Sequence, residues 1–174
     1  MMAVTVSRHA IADDCEHIIG LFKEQVKSGE KKNPPSVDDL KTYCLNGENS
    51  FNILIAEWNH KAPSKAVDRP STGPLVGYMF YQYIFSTWEG MTIQITDLYV
   101  SPLPQYEFIC KDLFHFLSKM SVDENCVQVQ WRTNGNNDLK NLSKYFNAMN
   151  MTEMANCLAK KLEKHQLKEI CSSC

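Results

Sequence analysis

Cysteine and histidine are the side chains best suited to metal or redox chemistry, and here their spacing supports neither. The seven cysteines fall at 15, 44, 110, 126, 157, 171 and 174. Cys171-Ser172-Ser173-Cys174 has C-x-x-C spacing, but a tetrahedral ion needs a second such pair or a Cys/His pair, and none is present. The four residues read instead as a frayed, disordered tail with two free thiols. His9, His17, His60, His115 and His165 show no metal-ligand spacing. His115, between Phe114 and Phe116, reads as a helix histidine satisfied by a partner. No metal is expected. An odd cysteine count with no export leader predicts reduced thiols, and so a cytoplasmic or nuclear location.

Composition narrows the possibilities further. In 174 residues, 44% are hydrophobic and 22% charged, enough for one folded domain with a real core. We expect that domain to span 1–170, with 171–174 as the tail. The formal charge is −2, and no basic run exceeds Lys31-Lys32 or Lys160-Lys161, which argues against nucleic acid as a direct partner. No run of 18 apolar residues exists to cross a membrane.

The elements follow from periodicity. Val4-Thr5-Val6-Ser7 alternates as a strand. Ile18, Ile19, Leu21, Phe22 and Val26 recur at helical spacing, with acids in the first turn and Gly29 as a C-cap. Ser36 and Asp39 form a capping box that opens a helix ending at Gly47. Ser50–Trp58, Leu75–Phe85 and Met91–Val100 read as strands, the last two joined as a hairpin through Thr87-Trp88-Glu89-Gly90. The segment 59–74, with three prolines, reads as a mobile surface loop. A helix over Tyr106–Met120, a strand over Val127–Trp131 and a helix over Asp138–Met149 complete the order. Hairpins followed by helical crossovers predict an α/β fold with a mixed sheet and helices on both faces.

Several motifs resemble the GCN5-related N-acetyltransferase (GNAT) superfamily, most closely its spermidine/spermine (diamine) and thialysine acetyltransferase branch. They are Arg8-His9-Ala10-Ile11-Ala12-Asp13-Asp14-Cys15, Val76-Gly77-Tyr78, Trp88-Glu89-Gly90 and Asp97-Leu98-Tyr99-Val100, and the resemblance runs from Val4 to about Lys168. It implies a mixed, mostly antiparallel sheet of six to seven strands, a homodimer, acetyl-CoA as cofactor and a small amine or polyamine as acceptor. It also implies a strand over 156–161, against the helical composition there.

The family holds the CoA pyrophosphate on backbone N–H groups at a helix start, in a turn written Arg/Gln-x-x-Gly-x-Gly/Ala. Here Gln105 takes the first position, while Tyr106, Phe108 and Cys110 replace the branch's three glycines. No glycine occurs between Gly90 and Gly135. Pro104 lacks an N–H, and Glu107 adds a negative charge. Each backbone bond to a charged phosphate is worth about 1.5–3 kcal/mol, so losing two or three costs roughly 3–9 kcal/mol. Main-chain contacts from Leu98 and Val100 to the pantetheine arm would remain. At the family's catalytic acid, a tyrosine, this chain has Phe146, which has no proton to donate; Tyr145 is the possible substitute. In the acceptor pocket the resemblance places Asp97, with Thr96 where the branch has glutamate, and Trp88 as a wall.

These departures favour a catalytically impaired protein of this fold, a binding or assembly module with a protein partner, no cofactor expected and a polyamine as a possible ligand. The alternative is an acetyl-CoA-dependent N-acetyltransferase for a small primary amine or polyamine, with Asp97 as base through water.

Overall fold

A computed structural model describes residues 4–27, 34–45, 51–59, 73–131 and 166. The chain divides into two compact units, Met1–Leu139 and Lys140–Cys174, and every described residue but Gln166 belongs to the first. The expected helix over 138–149, the strand over 156–161, the loop at 60–72 and the cysteines of the tail lie outside the described residues.

Strand β1 (Val4–His9) leads through a short 3-10 turn into helix α1 (Cys15–Lys27). A single α-turn, α2 (Val37–Leu40), then widens into a π-type turn over Lys41–Leu45. Strands β2 (Asn52–Asn59), β3 (Leu75–Ser86) and β4 (Gly90–Val100) follow, then helix α3 (Tyr106–Asp123) and strand β5 (Gln128–Trp131). The sheet runs β1-β2-β3-β4-β5. Neighbours pair antiparallel until β4 meets β5, which is parallel because α3 carries the chain back across the sheet. The described sheet therefore has five strands where six to seven are expected, and the expected strand at 156–161 is not among them.

Helices cover both faces. The Phe22 ring of α1 packs 4.7 Å from Tyr78 and 5.6 Å from Phe80. On the opposite face α3 meets β1 and β3: Ser7 Oγ donates to Asp112 Oδ2 at 2.7 Å, His9 lies edge-on 5.6 Å from Phe116, and the Tyr81 hydroxyl reaches Met120 Sδ at 3.5 Å. In α1 the buried stripe is Ile18, Leu21, Phe22 and Gln25; in α3 it is Ile109, Cys110, Leu113, Phe114, Leu117 and Ser121. Both follow the helical period.

The Ser36 capping box forms as its sequence predicts: Asp39 N–H donates to Ser36 Oγ at 3.1 Å, and Ser36 N–H donates to Asp39 Oδ2 at 3.0 Å. The expected longer helix does not follow it. The turns at Lys41–Leu45 loosen while Leu40 and Cys44 stay buried and Phe51 N–H reaches Tyr43 O at 3.4 Å.

Two glycines have specific work. Gly90 ends the hairpin at φ +108°, in the left-handed region. A Cβ on Gly77 would sit 3.0 Å from Val100 Cγ2 and 3.1 Å from Tyr99 O, a contact tight enough that β4 would have to give by a few tenths of an ångström.

Candidate functional site

The β3–β4 ladder carries one irregularity. Phe80 faces Asp97 and Tyr81 faces Ile95, which leaves Thr96 as an extra residue on β4. This is a β-bulge, and it re-aims the residues around it. Thr96 Oγ1 anchors it by donating to Phe80 O at 3.3 Å. On the other edge of β4, the described pairing with β5 stops at Ile95–Trp131, just before the bulge.

A cleft of about 370 Å³ opens beside the bulge on the α1 face. Thr96 and Asp97 form one wall, and the rest comes from α1, α2 with Pro35 before it, the turn after α2, Phe51 just ahead of β2, and β3. Asp97 is half-buried. The Tyr78 hydroxyl, fully buried, donates to Gln25 Oε1 at 2.7 Å and lies 3.4 Å from Asp97 Oδ2. Near the end of β4, Glu24 of α1 accepts from the Ser101 hydroxyl at 3.0 Å and from the Tyr99 hydroxyl at 3.4 Å. The cleft is thus held by α1 on one side and by the bulged strand on the other.

The turn after β4 is closed by Leu103 N–H to Ser101 O at 2.7 Å and Tyr106 N–H to Leu103 O at 3.0 Å. Ile109 N–H to Gln105 O, at 3.0 Å, begins the α3 ladder. Gln105 is the N-cap but offers no side-chain bond. The N–H groups of Glu107 and Phe108 have no acceptor among the described residues. They are the donors a helix start presents to an anion.

The bulky residues at this turn do not act together. Cys110 points into the core and is fully buried, and Tyr106 is half-buried. Phe108 is 52% exposed. The chain fills the core from α3 with every third and fourth residue, so Phe108, between those positions, is turned to solvent.

Burial pushes the Cys110 thiol up to about 12, with the Glu107 carboxylate adding to the rise and a hydrogen bond from Tyr106 opposing it. Cys44, at the cleft wall, is pushed up to about 11 by burial and by its neighbour Cys15. Neither thiol is a ready nucleophile. Among the described residues, no group of three His, Cys, Asp or Glu side chains is placed to hold a metal. No described helix is long and apolar enough to cross a membrane.

Of the expected acceptor residues, Asp97 lines the cleft and Trp88 does not. Trp88 is 96% exposed at the hairpin, and strand rise puts it more than roughly 20 Å along β4 from Asp97. Within one chain the two do not wall a common pocket, because the hairpin turn and the bulge lie at opposite ends of the strand. Leu98 and Val100 lie on β4 after the bulge, and Gln105, Tyr106, Phe108 and Cys110 are at the start of α3. Tyr145 and Phe146 lie outside the described residues. The sequence reading missed the apolar wall made by Phe22, Leu40, Tyr43, Phe51 and Phe80. Its sequence signals were Phe22 in the α1 stripe and the helical spacing of Leu40, Tyr43 and Cys44 after the capping box.

No protein-family model matches the chain. It is 27% identical to thialysine N-epsilon-acetyltransferase of Mus musculus, over 97% of this chain and 98% of that protein. It is 27% identical to the Homo sapiens spermidine/spermine N(1)-acetyltransferase-like protein 1, over 68% of this chain and 16% of that one. Among solved structures, an aminoglycoside acetyltransferase from an uncultured soil metagenomic sample, in complex with sisomicin, superposes with a TM-score of 0.66 at 17% identity. That likeness covers 91% of this chain and 97% of the other, and it concerns the fold.

Proposed function

Because the chain belongs to the GCN5-related N-acetyltransferase superfamily, on the side of its diamine and thialysine acetyltransferases, we propose that it is an acetyl-CoA-dependent N-acetyltransferase acting on a small primary amine. The observation that carries this reading is the bulge at Thr96, which sets the Asp97 carboxylate into a cleft beside β4.

Acetyl-CoA, when bound, supplies a thioester-activated acetyl group. The chain offers two sets of groups to hold it: the main chain of Leu98–Val100 and the amides of Glu107 and Phe108 at the start of α3. Asp97 pairs with the incoming ammonium, orients it and accepts its proton through water. A main-chain N–H near Leu98 stabilises the negative charge that develops on the carbonyl oxygen. Tyr145 or solvent returns a proton to the leaving thiolate.

The glycine-free turn from Pro104 to Cys110 favours a second reading, a binding or assembly module that has lost transfer and works through a protein partner or a second copy of itself. One pair of measurements separates the two. Calorimetric titration with acetyl-CoA, followed by transfer of radiolabelled acetyl to a panel of amines, gives binding and product on the first reading. No heat and no product leave the second.

A further inference from the structure

A large aromatic ring stands in water at the start of α3. Phe108 is the third residue of that helix, after Tyr106 and Glu107, and half of its surface is exposed. It does not serve the core, which α3 fills with Ile109, Cys110 and Leu113 in this stretch. Helical side chains lean toward the N-terminus, so the ring covers the turn that opens α3 rather than the turn after it. The same turn carries the main-chain N–H groups of Glu107 and Phe108, which have no acceptor among the described residues. An exposed π face and two donors suited to an anion therefore share one helix end.

We infer that Phe108 is the stacking platform for the base of the coenzyme A nucleotide, with the pyrophosphate at the helix start beside it. For the identity of the ligand, the inference rests on the acetyltransferase reading above. The family's turn has glycine at this position, and a ring aimed at the phosphates would obstruct them. The exposed side of the Phe108 ring faces solvent instead, on the side from which a base, one ribose away from the pyrophosphate, can reach it. Every purine presents a π face, and stacking on an aromatic side chain needs no hydrogen-bond partner. The contact offsets part of the binding lost with the glycines. Phe108 is thus a specificity residue for a nucleotide-bearing thioester, and it acts on the part of the cofactor farthest from the transferred acetyl group.

The test uses the full chain and two probes, CoA and 4′-phosphopantetheine, which lacks the nucleotide, titrated calorimetrically at near-neutral pH. The wild type should bind CoA about tenfold more tightly than 4′-phosphopantetheine. Phe108→Ala and Phe108→Leu should each weaken CoA binding by about five- to tenfold. Both should leave 4′-phosphopantetheine binding and the thermal midpoint unchanged. The leucine keeps apolar bulk but has no π face, so it separates stacking from simple burial. Phe108→Trp should restore CoA binding and add a fluorescence quench on CoA that neither the wild type nor 4′-phosphopantetheine gives. Tighter CoA binding by Phe108→Ala overturns the inference, because the ring is then an obstruction. Equal CoA binding by Phe108→Ala, an equal loss for both probes, or no CoA binding by the wild type overturns it as well. Acetyl transfer to amines is assayed separately. CoA binding that depends on Phe108, with no transfer, keeps this inference and removes the acetyltransferase reading. Transfer by Phe108→Ala at the wild-type KM for acetyl-CoA keeps that reading and removes the inference.

Discussion

The Tyr78 hydroxyl lies 3.4 Å from Asp97 Oδ2 while it donates to Gln25 Oε1 at 2.7 Å. It therefore links a buried glutamine of α1 to the carboxylate at the β4 bulge. Asp97 is the residue proposed to meet the amine, and Tyr78 is the positioning residue behind it.

Asp97→Asn removes the base and keeps the shape. On the acetyltransferase reading, kcat/KM for the amine should fall by about 10²–10⁴-fold, with far-UV circular dichroism unchanged. A variant that retains wild-type kcat/KM would remove Asp97 from the chemistry.

Tyr78→Phe deletes one hydroxyl from a fully buried side chain. Gln25, itself buried, loses a donor, so urea denaturation should show a loss of about 1–2 kcal/mol. The amine KM should rise as well, since Asp97 is then less constrained. A change in stability with amine KM untouched would make Tyr78 purely structural.

Gly77→Ala places a methyl group 3.0 Å from Val100 Cγ2 and 3.1 Å from Tyr99 O. The second neighbour is backbone and gives little, so β4 must shift. The expected loss is about 1–3 kcal/mol by denaturant titration. Acetyl-CoA binding should weaken too, because the shifted segment carries the Leu98–Val100 main chain proposed to hold it.

Arg8 forks between two buried carboxylates. It reaches Asp14 at 2.7 Å and Glu57 at 3.3 Å. Asp14 also accepts Ile11 N–H at 2.8 Å, and Glu57 accepts Gly73 N–H at 2.9 Å. Arg8→Met leaves both carboxylates without that cation, and thermal or urea unfolding should show a loss of about 3–5 kcal/mol. Adding Asp14→Asn to Arg8→Met should recover part of it.

Alkaline pH should destabilise the fold through its buried thiols. In the folded state Cys44 is pushed up to about 11 and Cys110 up to about 12, from an ordinary value of 9.0. The unfolded chain therefore releases these protons first. The stability they contribute is complete below the ordinary value and is lost as pH rises through the folded ones. Cys44→Ala with Cys110→Ala should flatten the fall of the thermal midpoint on the alkaline side. In the native wild type, both thiols should resist iodoacetamide at mildly alkaline pH.

Local rules were enough for much of this molecule. The alternation in β1 to β4, the Gly90 hairpin, the Ser36–Asp39 capping box and the stripes of α1 and α3 depend on residues only a few positions apart, so their spacing can be read directly. The motifs around Arg8, Gly77 and Asp97 also pointed to the acetyltransferase family. The sequence could not give the register between β3 and β4. The bulge at Thr96 exists because two distant runs pair with one residue in excess, and nothing in either run alone marks it. The cleft depends on the same assembly, since its walls come from α1, α2 and the turn after it, Phe51, β3 and β4 together. The sequence equally could not tell Phe108 from Cys110. Both replace a glycine of the family's turn, but only packing of α3 on the sheet decides that one enters the core and the other meets water. Short-range periodicity sets where the elements are; the long-range contacts of a folded sheet set which side chains face a ligand.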